Sequence, residues 1–183
     1  MKRIVALTAV GADKPGIVAG VTGALYRLGC NLEETSMTLL RRDFAMIMLI
    51  SVPDTLSIGQ LKENIKPTID QLGLSLNIRE LSDEEKQLPC AFGKPNYILS
   101  IYGIDKPGIV YKVSEILAQK KINITDLETQ TTQSGKKNLY ALILEIYVPE
   151  NIPADTLKSE LTQVCRNLSV DFSLDIIHEY NEM

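Results

Sequence analysis

The chain has 183 residues, 45% hydrophobic and 23% charged, with a net charge of −4 at neutral pH. That mix belongs to an ordinary globular protein of one or two small domains. An acidic chain gains nothing from counterion release on a polyanion, which argues against direct nucleic-acid binding, and no apolar run approaches the ~20 residues that cross a bilayer.

Residues 3–10, RIVALTAV, are β-branched and apolar and predict a strand. With Met1 and Lys2 before them they faintly resemble a signal peptide. However, residues 97–102 fill the same place before a later repeat, so the segment reads as a strand of the fold and the protein as cytoplasmic. The chain then runs V-G-A-D-K-P-G-I-V from Val10 to Val18, and Y-G-I-D-K-P-G-I-V from Tyr102 to Val110. Ile17, Val18, Val21, Leu25 and Leu28 fall at helical spacing. Residues 32–40 are Thr-rich and charged, as in an edge strand. Arg41-Arg42-Asp43 turns the chain into 44–52, an apolar run expected to be covered on both faces. Ile58, Leu61, Ile65, Ile69 and Leu72 make a second amphipathic helix, with Pro67 placed to kink it. Leu74, Leu76 and Ile78 alternate as a last strand.

The whole series recurs. Asp13 and Asp105 lie 105 − 13 = 92 positions apart, and that offset also aligns Gly11 with Gly103, Pro15 with Pro107, Gly16 with Gly108 and Asn31 with Asn123. Later the offset is 96, as in Ala45 with Ala141 and Pro53 with Pro149, so copy two gains four residues around 132–138. A Ser-Gly turn among lysines predicts a lengthened hairpin loop there. The expected organisation is domain one at 1–81, a linker at 82–94 and domain two at 95–183, with Leu88 and Phe92 able to pin the linker. The order β-α-β-β-α-β, twice, is the α+β ferredoxin-like plan. Its crossovers put the first and third strands, the most apolar, at the sheet centre. Two helices hide one sheet face, so the second domain or a second subunit is expected to cover the other.

A strand, then G-x-D-K-P-G-I-V opening a helix, then an Asn starting the next strand, resembles the ACT domain. Both copies carry the pattern: Gly11, Asp13, Pro15, Gly16 and Asn31, then Gly103, Asp105, Pro107, Gly108 and Asn123. The resemblance implies a regulatory module for small molecules, often amino acids. A bare tandem pair further resembles the glycine cleavage system transcriptional repressor family, which implies action through a partner regulator. Ligand-contact candidates are those ten residues, with Ile17, Leu32, Ile109 and Ile124 beside them.

Physically, Gly11 and Gly103 are expected to turn the chain at a strand end, and Pro15 and Pro107 to sit in the first helical turn. The free N–H groups after Gly16 and Gly108 suit an amino-acid carboxylate. Asp13 would take its ammonium, with Asn31 nearby. Alternatively Asp13 and Asp105 are helix N-caps, and Asn31 and Asn123 turn residues. Helix one also carries Ala19, Gly20, Gly23 and Ala24 where copy two has Tyr111, Lys112, Glu115 and Ile116. That small-residue face predicts packing on a neighbouring domain or subunit.

No catalytic constellation, metal site or cofactor motif is read. His178 is the single histidine, and Cys30, Cys90 and Cys165 have no metal spacing and read as reduced thiols. Glu33-Glu34 and the pair Asp126 and Glu128 read as solvated acids; Arg41-Arg42 and Lys136-Lys137 read as charged hairpin tips. Three functions stay open: an amino-acid sensor acting on a transcription regulator by contact, a free-standing regulatory subunit of a metabolic enzyme, and a ligand-free oligomerisation module. A homodimer is expected in each.

Overall fold

The computed structural model describes residues 3–86, 93–134 and 137–177. The chain forms two compact units. The first comprises β1 (Arg3–Ala12), α1 (Ile17–Arg27), β2 (Asn31–Leu40), β3 (Asp43–Val52), α2 (Ile58–Leu72) and β4 (Leu74–Glu80). The second comprises β5 (Tyr97–Ile104), α3 (Ile109–Gln119), β6 (Asn123–Ser134), β7 (Lys137–Tyr147), α4 (Ala154–Leu168) and β8 (Val170–Ile176). The sheets are ordered β2-β3-β1-β4 and β6-β7-β5-β8, so the most apolar strands are central.

Alternation explains the core. On β1, Val5, Leu7 and Ala9 are fully buried, and on β3 they meet Phe44, Met46, Met48 and Ile50 under Ile17, Val21, Leu25, Leu61, Ile65 and Ile69 of the helices. The second unit repeats this with Leu99, Ile101, Leu142, Leu144 and Ile146. The expectation that residues 44–52 are covered on both faces is not met. Ile47 on the opposite face is 54% exposed, because α1 and α2 lie on one side of the sheet only.

Four further expectations change. Gly11 does not turn the chain: β1 continues through it to Ala12. Its hydrogen side is needed because a Cβ there would sit 2.8 Å from Leu74 Cδ2 and 2.9 Å from the Gly73 carbonyl oxygen. Gly103 meets Val170 in the same way. The extra residues of copy two lengthen the ladder and not the loop. Leu40 pairs with Asp43 and Ser134 with Lys137, so both hairpins have two-residue connections, and Lys137 belongs to a strand. Pro67 stays inside a continuous α2, on its exposed side, where the carbonyl it leaves unbonded can reach water. Finally, Gly20 serves its own unit. A Cβ there would lie 2.9 Å from Leu72 Cδ1, so its bareness lets α2 approach α1.

The linker is tied at both ends. Leu81 N–H bonds the Ile4 carbonyl, and Ser82 and Glu85 exchange side-chain bonds with each other's N–H in a single turn, held by Arg79 to Glu85 at 2.6 Å. At the other end Asn96 exchanges amide bonds with Val148, while its carbonyl accepts from Ile177 N–H. Leu88, Cys90, Phe92, Lys136 and His178 lie outside the described residues.

Candidate functional site

The repeated D-K-P-G stretch forms a loop at one end of each sheet. Asp13 N–H donates to the Arg42 carbonyl at 2.7 Å, and Asp105 N–H to the Asn138 carbonyl at 3.0 Å, so each loop is laced to its neighbouring hairpin. Gly16 and Gly108 are the N-caps of α1 and α3, both in the left-handed region at φ 94°. That conformation is why glycine stands there. Pro15 and Pro107 therefore precede the helices and do not occupy their first turns. Nor are Asp13 and Asp105 the N-caps: neither helix start has a side-chain cap. Its first N–H groups stay available beside an exposed loop, and nothing lies within 4 Å of where a Cβ of Gly16 or Gly108 would be. Ile17 and Ile109, each 2% exposed, anchor the helix starts in the core and offer no side-chain surface to a ligand.

Lys14 and Lys106 have a role the sequence reading did not assign. Lys14 Nζ donates to the Gln71 carbonyl at 3.4 Å and Lys106 Nζ to the Leu168 carbonyl at 3.1 Å. Each cation thus sits on the C-terminal end of its unit's second helix, where the dipole favours it. Identity of the lysine in both copies was the available signal.

Asn31 and Asn123 are not near these loops. Asn31 opens β2 opposite Ser51, whereas Gly11 lies opposite Phe44. Seven residues of β3 separate the two ends, roughly 24 Å of strand. The same holds for Asn123 against Tyr147 and Gly103 against Tyr140. The reason is topological: β1 and β2 run parallel, so the loop after one and the start of the other fall at opposite ends of the sheet. Immediately after each Asn the ladder slips by one residue, between Leu32 and Glu34 and between Ile124 and Asp126. Such bulges redirect side chains at sheet edges. Leu32 is 40% exposed, whereas Ile124 is partly buried against the core.

Reactive groups are few. Burial pushes the Cys165 thiol up to about 11, aided by the charge of Asp171, and burial also raises that of Cys30. Among the described residues no group of three or more His, Cys, Asp or Glu is arranged to hold a metal ion, and no helix is long and apolar enough to cross a membrane.

Two βαββαβ units, each with a glycine-capped helix start beside a D-K-P-G loop, define a tandem ferredoxin-like protein of the regulatory-domain type. The ACT domain family matches residues 3–79 and 97–175, and the chain belongs to that family. It is similar to the glycine cleavage system transcriptional repressor of Escherichia coli K12, 22% identical over 94% of this chain and 89% of that one. A UPF0237 protein of Methanopyrus kandleri is 38% identical over 40% of this chain and 82% of its own length. Among solved structures, an unknown protein from Galdieria sulphuraria aligns with a TM-score of 0.79 at 25% identity, covering 97% of this chain and all of that one. The fold also matches a putative glycine cleavage system transcriptional repressor, with a TM-score of 0.72 at 24% identity over 98% and 99% of the two chains.

Proposed function

We propose that this protein is a non-catalytic regulator that senses an amino acid and acts by contact on a transcription regulator of amino-acid metabolism, glycine metabolism being the first candidate. The observation that carries the sensing half is the pair of helix starts at Gly16 and Gly108, both left without a side-chain cap next to an exposed aspartate loop. A carboxylate accepts the helix N–H groups, and Asp13 or Asp105 takes the ammonium. The regulator half is supported by the name of the Escherichia coli relative, which aligns along nearly the whole chain.

Asn31 joins such a site only through a second copy. All ten residues of the edge strand β2 are exposed. Pairing it antiparallel with β2 of a second copy sets the Asn31 end of one against the helix-start end of the other. That arrangement gives a homodimer with a composite site, with the bulge after Asn31 lying at the seam.

Calorimetric titration of the full chain with a panel of amino acids tests the reading. A saturable heat is expected for one or a few of them, and Asp13→Ala or Asp105→Ala should weaken it by more than they lower stability. Silence across the panel would leave the oligomerisation module in its place. Recovery of a metabolic enzyme, and not a regulator, on native pull-down would favour the regulatory-subunit reading.

A further inference from the structure

The sheet of the second unit has a face that α3 and α4 leave uncovered, and strand register fixes what it shows. The central strands β7 and β5 place Leu139, Ile143, Tyr102 and Ile104 there, between 40% and 48% exposed. Every charged position of the flanking strands on this face is an acid: Asp126 and Glu128 on β6, Asp171 and Asp175 on β8. By register the central strand β7 adds Glu145 and, at its hairpin end, Lys137 to this face, and no other described strand position on it is lysine or arginine.

The first unit supplies an internal comparison. Its matching positions are Glu34, Ser36, Ser75 and Arg79, so three of the four differ in charge between the copies, each more acidic in copy two. The fold does not require this charge, because the first sheet forms with the mixed set.

We propose that this face docks an amphipathic helix of a protein partner, whose apolar stripe is bordered on both sides by lysine or arginine. The outer strands β6 and β8 are three strand spacings apart, roughly 14 Å. A helix with its side chains is about 10–12 Å across, so it lies over β7 and β5 with its flanks above the two acid rows. Long basic side chains lay their stems on the apolar strip and carry their charge outward. A wholly basic segment would forfeit the apolar contact, and a wholly apolar one would leave the acids without partners.

The proposal deepens the contact reading above by naming the surface and the partner's chemistry, and it is independent of whether an amino acid binds. Its test uses the full chain and a synthetic peptide of about 18 residues, roughly 27 Å as a helix. The peptide carries a leucine stripe flanked by lysines; a second has the same composition in scrambled order. Calorimetry should show the striped peptide binding at least about tenfold more tightly. Tyr102→Ser with Ile143→Ser should lower its affinity by about tenfold or more. Asp126→Asn with Asp175→Asn should lower it several-fold and flatten its salt dependence. Val10→Ser with Ile47→Ser in the first unit should change nothing. Thermal unfolding checks each fold, and the Asn pair carries the test if the Ser pair does not fold. Equal binding of both peptides, or unchanged affinity in the folded face variants, overturns the proposal. Amino-acid heats measured on the same variants should be unaltered, so loss of sensing and loss of docking are read apart.

Discussion

Two glycines in each copy stand where they do for different reasons, and substitution separates them. Gly16→Ala and Gly108→Ala meet no neighbour, so the cost is backbone strain alone, about 1–2 kcal/mol. Gly11→Ala drives a Cβ toward backbone as well as the Leu74 side chain, and Gly103→Ala drives one into Val170. Overpacking there should cost about 1–3 kcal/mol, and repacking with Leu74→Ala should recover part of it for Gly11→Ala but not for Gly16→Ala. Urea unfolding measures all of these. Cys165 offers a pH test. Its folded thiol titrates near 11, against 9.0 for an exposed thiol. The unfolded chain therefore releases the proton first as pH rises. The stabilisation is whole below pH 9 and is lost between 9 and about 11. A Cys165→Ala variant should lack that part of the decline. Native Cys165 should also resist alkylation at pH 8 until the chain is unfolded.

At the scale of elements, α2 holds two opposing features. Ser57 and Gln60 form a capping box at its start, and Ser57→Ala should cost about 1 kcal/mol. Pro67 removes an internal hydrogen bond, and Pro67→Gln, the residue at the matching place in α4, should raise stability by roughly 1–3 kcal/mol in thermal or urea unfolding. The identity and order of these elements were legible in the sequence because apolar spacing of two and of three to four residues alternates cleanly, and because each reading could be checked against its copy. Pairing was less legible. Periodicity is local, so it did not reveal that the start of β2 lies at the far end of the sheet from Asp13. Gly11 was misread because its neighbour, Leu74, is distant in sequence. The N-cap was misread because Asp13 has the right chemistry but stands before the turn that ends at Gly16.

For the whole molecule, the open edge of β2 is the feature with the widest reach. Met37 and Leu39 are 53% and 52% exposed on its helix-side face. Met37→Lys with Leu39→Lys should turn a β2-paired dimer into a folded monomer in sedimentation, with any amino-acid heat weakened alongside. A dimer that survives would move the contact to another surface. The way the chain passes through each unit has a mechanical consequence. The first strand and the last lie side by side and antiparallel, closed at Ile4 and Leu81 in one unit and at Asn96 and Ile177 in the other. A pull on the chain at these points opens the ladder like a zipper, one bond at a time, and loads no bonds in parallel. Each unit yields slack under tension and carries little force along the chain, which fits the proposed contacts through its edges and faces.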